Sequence, residues 1–371
     1  MPFGREGEAH VNRALICGLA ALACSLPVSG FAKDAWKAPK NGFGQPDVGG
    51  TWSNATLTPQ ARPALYGTRK VLSPQEIAIL EGSVAAKDAA SRAKVDLNAT
   101  GGASDNVGAY DRAWIDNGVG VMRVGGEPRT SLITTPDGQP PVAKGQTPRV
   151  LPPNAGSAQA GIEAAKQAAS FDQFAAQGSA EAGRMGNYDN PESRSPGERC
   201  IVGFGRNAGP PMFPNGWYNN NYVIVQGRDA VAIEIEMVHD VRQVRLNGKH
   251  RTDDIRPWFG DSIGWYEGDT LVVETDHFPQ TEAYFGSWKN LTVTERFTRV
   301  APDRLLYRFS VSDPTVWEKP WGGEYEFRPT KGQVFEYACH EGNYALPGIL
   351  AGARAAEREA AQAPQRAAAG R

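Results

Sequence analysis

Apolar and polar residues alternate with a period of two through most of the second half of the chain, the spacing of strands with one face buried and the other wet. Alternating runs at 222–226, 230–246, 263–267, 270–275, 292–300, 305–311, 324–327 and 334–339 are separated by Gly227-Arg228-Asp229, Gly268-Asp269, Pro302-Asp303 and Lys331-Gly332. These are turn residues at hairpin spacing. The pattern predicts a mainly β fold: an antiparallel meander forming a curled sheet or lipocalin-like barrel, with a few peripheral helices. Closure into a barrel removes unpaired strand edges. Read as one long strand, 230–246 puts Val231, Ile233, Ile235, Met237, His239 and Val241 on one face, and Ala232, Glu234, Glu236, Val238, Asp240 and Arg242 on the other.

The rest of the chain is less regular. Residues 33–140 read as an N-terminal arm, a helix and a small hairpin unit. Ser73-Pro74-Gln75-Glu76 supplies an N-cap with proline at the first helical position, predicting a helix to about residue 93. Short strands at 119–124 and 130–135 flank Gly125-Gly126-Glu127-Pro128. Residues 141–197 are Ala/Gly-rich, a linker or cover with a helix expected over 158–176. The β domain is placed at 198–345, and 346–371 begins as a helix and fades into an Ala/Arg tail expected to be disordered.

Composition adds a compartment. Arg5 and Arg13 precede an apolar run at 14–24, followed by small residues that include Gly30 and Ala32. This is the layout of a secretory signal peptide over 1–32, and the run is too short for a membrane span of about 20 residues. Ala21-Leu22-Ala23-Cys24 offers a poorer lipoprotein alternative. A periplasmic or secreted protein is expected. The formal net charge of −2 argues against the concentrated basic surface of a nucleic-acid binder. Of four cysteines, Cys200 and Cys339 lie beyond the signal. In an oxidising compartment they form a candidate disulfide, the alternative being two separate buried thiols.

Candidate chemistry gathers in two places. His239 ends an apolar strand face, where an imidazole needs a partner or serves as a functional group; Glu236, Asp240 and Arg242 flank it. His340 and Glu341 follow the last predicted strand, a second acid/base pair at a strand–loop junction. Asn221 and Tyr222, with Trp265 and Trp317 among the loop aromatics, are candidate ligand contacts, since indole and phenol rings offer an apolar face and a polar edge. The same tryptophans could equally plug the barrel ends, and a satisfied structural histidine is an equally simple account of His239. No Walker loop, dinucleotide fingerprint, G-x-S-x-G elbow or C-x-x-C pair occurs, so no cofactor is expected. No local histidine spacing supports a metal.

The segments PDVGGTW (46–52), RTSLI (129–133), ERC (198–200), NNNY (219–222), EMVHDVR (236–242), GDS (260–262), EGDTLVVET (267–275), ERF (295–297) and EYACHEGNY (336–344) together resemble a family of secreted bacterial proteins. The resemblance spans nearly all of the chain after the signal. It implies that Glu236, His239, Asp240, Arg242, His340 and Glu341 lie in motif segments and assigns none of them a role. The residues themselves point to a cofactor-independent acid/base enzyme (lyase, isomerase or hydrolase) acting on a small ring-containing molecule. The alternatives are a non-catalytic, lipocalin-like small-ligand-binding protein and a structural envelope protein.

Overall fold

The period-two alternation is realised as a closed barrel of nine strands. The computed structural model describes residues 36–91, 116, 118–146, 188, 190–203, 209–214 and 218–369. The predicted signal peptide, the predicted helix at 158–176 and Trp217 lie outside them. Eight of the barrel strands come from the predicted β region: β4 (Asn221–Gln226), β5 (Ala230–Ile235), β6 (Asp240–Leu246), β7 (Asp261–Glu267), β8 (Thr270–Asp276), β9 (Thr292–Ala301), β10 (Arg304–Ser312) and β11 (Trp321–Pro329). The ninth is β1 (Gly50–Ser53), which lies antiparallel between β4 and β11 and joins the first and last strands of the meander. Neighbours are antiparallel except β6 and β7, which run parallel, so residues 247–260 must cross back along the outside of the barrel.

Registers carry one face continuously around the wall. Tyr222 pairs with Ile235, Ile233 with Arg242, Val273 with Glu295, Phe297 with Tyr307, and Tyr307 with Tyr325. All of these side chains are buried. Among the described residues, this inner face carries a core of aromatic and branched side chains. Tyr307 lies 4.8 Å from Tyr325 and 5.1 Å from Phe297, ring centre to ring centre.

Outside the barrel, α1 (Pro74–Ser91) starts as its sequence predicts. The Ser73 amide donates to Glu76 and the Glu76 amide to the Ser73 hydroxyl, a reciprocal capping box. The predicted hairpin is misplaced: β2 (Arg123–Val124) pairs with β3 (Glu127–Pro128), which lies in the expected connector, and 130–135 forms no strand, Ile133 making only an isolated bridge to Gly323. Two further corrections concern strands. The run 230–246 is broken by a turn at 236–239, where Val238 and His239 have φ of 60° and 46°. The inward parity therefore changes from odd in β5 to even in β6, which sends Arg242 inward and leaves His239 exposed. Residues 334–339 form no strand, because β1 already occupies the free edge of β11. A fourth correction is the tail, where α2 (Ala345–Ala369) continues through the Ala-rich segment, as its strong helix formers allow.

Inside the barrel Arg242 and Glu295 face each other from non-adjacent strands, with 1% and 0% of their side chains exposed. Arg242 Nη1 donates to Glu295 Oε1 at 3.2 Å, and Nη2 donates to Oε2. The Tyr307 hydroxyl donates to Glu295 Oε1 at 2.8 Å and accepts from the Met212 amide at 2.9 Å. Tyr325 donates to the Met212 carbonyl at 2.7 Å, and Asn54 Nδ2 reaches the hydroxyls of Tyr222 and Tyr325. Breaking a buried pair from one side strands a charge. Glu295→Gln or Arg242→Met should each destabilise the fold by about 3–5 kcal/mol. The joint change Arg242→Met with Glu295→Leu should recover most of that loss in urea unfolding; a double variant as unstable as the sum of the singles would show that the two charges are not coupled.

Candidate functional site

The turn between β5 and β6 gathers the polar groups at one mouth of the barrel. Glu236 Oε2 accepts from the backbone amide of Asn221 at 3.2 Å and from its side-chain amide at 2.8 Å. The Thr330 hydroxyl donates to Asn221 Oδ1 at 2.6 Å, so both ends of this side chain are fixed. The Asn220 side chain donates to the Asp116 carbonyl, bringing a second carboxyl beside Glu236. Met237 and Val238 are buried and anchor the turn. A β-branched residue with positive φ is a strained conformation, and here it turns the next side chain, His239, outward.

Loop 198–203 and segment 337–343 complete the mouth. Cys200 and Cys339 are bonded, with their Cα atoms 5.6 Å apart, and Asn343 Nδ2 donates to the Glu198 carbonyl at 2.7 Å. Gly203 presses on Met237 so closely that a Cβ there would overlap the methionine side chain, and its amide donates to Asp240. His239 Nδ1 lies 3.2 Å from the Tyr337 carbonyl, and the rings of Tyr218 and Tyr337 stack with centroids 6.1 Å apart.

Burial sets the charge state of the carboxyls. Asp240 is pushed up to about 7 by desolvation, which the His239 charge and the Gly203 amide offset only in part. Asp116 rises to about 6, first through burial and then through the negative charge of Glu236. Glu236 is itself raised by burial, against the pull of its amide donors. Carboxyls that change charge near neutrality are suited to passing protons.

The sequence candidates divide by location. Glu236, His239, Asp240 and Asn221 meet at this mouth, and the His340–Glu341 pair is exposed on the disulfide-pinned segment beside it. Arg242 and Tyr222 lie deeper, inside the barrel: the guanidinium is held by Glu295 and the Tyr222 hydroxyl by Asn54. Trp317 is buried, its indole N–H donating to the Pro141 carbonyl at 3.1 Å. Trp265 lies on β7, its indole bonded to Glu267 near the opposite mouth. Sequence reasoning missed Asp116, which no motif marks, and Glu295. The signal for Glu295 was present: a carboxylate in the apolar parity of Val293 and Phe297.

Comparison with protein-family models, with curated proteins and with solved structures finds no match. Among the described residues no helix is long and apolar enough to cross a membrane.

Asp240 makes the stability of this mouth depend on pH with a definite sign. Its carboxyl, raised from 3.8 to about 7, keeps its proton in the folded state while the unfolded chain releases it. Stability is therefore lost as pH rises through that window, and the full penalty applies above it. Asp240→Asn should be more stable than wild type at pH 8 and should show a shallower decline between pH 5 and pH 8 in urea unfolding. Parallel curves for the two proteins would contradict the assignment.

Proposed function

We propose that the protein is an exported, cofactor-independent acid/base enzyme working at the mouth of the barrel. The single observation that carries this reading is the convergence of three partly buried carboxyls, Asp116, Glu236 and Asp240, with an exposed imidazole, His239, on a rigidly held turn. Their spread of charge states supplies a proton donor and a proton acceptor at the same pH. Asp240 is the donor near neutrality, and Glu236, fixed by Asn221, is the acceptor. His239 stands at the rim, where it moves protons between site and solvent. The stacked pair Tyr218–Tyr337 offers an aromatic face beside these groups, which supports a small ring-containing substrate. The chemistry is proton transfer of the lyase, isomerase or hydrolase kind.

The resemblance to a family of secreted bacterial proteins fits this reading, because four of its motif segments, ERC, NNNY, EMVHDVR and EYACHEGNY, supply the residues of this mouth. Export is supported by the charged and apolar segments at 1–32 and by the disulfide, which persists in an oxidising compartment. Terminal sequencing of the protein recovered from the periplasm or medium should give Lys33 as the first residue. An intact N-terminus on that material would overturn the cleavage.

Catalysis is tested by incubating the purified protein with a library of small cyclic metabolites and following mass changes. Once a substrate is found, His239→Ala and Asp240→Asn should retain the far-ultraviolet spectrum of the folded protein and lose about 10²–10⁴-fold in kcat. The wild-type rate should change steeply between about pH 6 and pH 7, where Asp116 and Asp240 exchange protons. Saturable binding of a library member without any turnover by wild type would instead identify a small-ligand-binding protein.

A further inference from the structure

A second cluster lies on the outer face of the barrel wall, where the crossover 247–260 passes the paired ends of β7 and β8. Asp261 and Asp276 are register partners there, and inward of them Ser262 and Thr275 share a buried hydrogen bond of 2.8 Å. The crossover brings down His250, whose Nδ1 lies 3.1 Å from Asp261 Oδ2 and 2.9 Å from Asp276 Oδ1. His277, held at φ 54°, places its own Nδ1 2.6 Å from the same Asp276 oxygen. The other nitrogen of His250, Nε2, faces Glu274 Oε1 at 3.3 Å.

Two features distinguish this from a collection of surface charges. The first is the orientation of His250. Glu274 opposite Nε2 is the carboxylate–histidine arrangement found behind metal-bound imidazoles, and it helps fix the ring with Nδ1 toward Asp261 and Asp276. Nδ1 is thereby held against two carboxylate oxygens from neighbouring strands, an imidazole and two carboxylates converging on one point. The second is the charge balance. Asp261, Asp276 and Glu274 carry three negative charges, and the guanidinium of Arg245, bound to both oxygens of Asp261 at 2.7 and 2.9 Å, offsets one. Arg251 is engaged by Asp253. The three carboxylates thus outnumber the one guanidinium bound among them.

We infer that His250 Nδ1, Asp261 Oδ2 and Asp276 Oδ1 form a site for one divalent cation of the zinc class, with His277 Nδ1 within reach as the fourth donor. The three principal donor atoms lie within 4.8 Å of one another. Around a four-coordinate zinc with bonds of about 2.0–2.2 Å, donors sit about 3.4 Å apart, so the contacts of His250 Nδ1 with the two carboxylates need to open by about 0.3–0.5 Å and that of His277 Nδ1 with Asp276 by about 0.8 Å. Mixed imidazole and carboxylate donors select zinc and neighbouring transition ions over calcium or magnesium. The site is separate from the carboxyl cluster at the β5–β6 turn and does not depend on its function.

Tag-free, chelator-treated protein titrated with zinc chloride against a chromophoric chelator should take up one equivalent per chain, and its thermal midpoint should rise with zinc. His250→Ala should weaken binding at least tenfold and abolish the thermal shift. Glu274→Gln, which leaves the proposed donors in place, should weaken it by about 10–100-fold. Should His250→Ala not fold, Asp276→Asn serves in its place. Cobalt(II) added instead of zinc should give the intense visible bands of a four-coordinate site. Equal zinc uptake by wild type and the donor variants, or uptake with no thermal shift in wild type, would overturn the inference. So would a wild type that takes up no zinc.

Discussion

Arg242 and Glu295 meet inside the barrel with almost no exposed surface, and neither charge is tolerable there without the other. Their strands are separated around the wall by β7 and β8, so the pair fixes how β6 and β9 stand relative to each other across the interior. Tyr307 and Tyr325 then carry the hydrogen bonding from Glu295 to the backbone of Met212, which draws the 209–214 segment into the barrel. Burial holds both phenols far above their usual range, so they remain neutral donors and the network carries only its two compensating charges.

The proposed acid/base mouth inherits its geometry from that pair. Asp240 lies two residues before Arg242 and shares its strand face, so an inward Arg242 sets Asp240 at the inner rim, where desolvation raises its carboxyl. The reversal at 236–239 is what makes Arg242 point inward. It is also the strained segment that turns His239 out to the Tyr337 carbonyl. The disulfide ties the loop holding Gly203 to the segment holding Tyr337, closing a covalent loop over a sequence separation of 139. By chain-entropy reasoning such a closure contributes about 5 kcal/mol. Core charge, turn strain and cross-link therefore act on one set of side chains.

Much of the architecture was legible because short-range rules decide it. Alternation in Val293–Phe297 or Leu305–Val311 needs only a wet side and a dry side, and the capping box at Ser73 and Glu76 acts within one turn of helix. Cys200 and Cys339 were readable as a candidate pair, and the structure bonds them. The 230–246 run was misread as one strand although Met237 and Val238 are consecutive apolar residues, both buried, and the apolar parity passes from odd at Val231, Ile233 and Ile235 to even at Val244 and Leu246; a bulge and a reversal give the same local pattern. The 334–339 strand was misread because whether an edge is free depends on the rest of the sheet, and β1 had taken it. Trp317 could not be told from a ligand-facing aromatic until its indole was seen bonded to Pro141.

The amino-acid sequence by itself determined that the chain makes a mainly β fold with hairpin turns at 227–229, 268–269 and 302–303, a capped helix at Pro74 and a candidate pair in Cys200 and Cys339. These follow from periodicity, turn chemistry and composition, which act between near neighbours or through simple counting. Only the tertiary structure decided that Arg242 faces Glu295, that Asp116, Glu236 and Asp240 share one mouth, and that His250 reaches Asp261 and Asp276. Those contacts join residues from separate strands and crossovers, and the electrostatic cost of burying a charge is fixed by which partner the closed barrel brings within hydrogen-bonding reach.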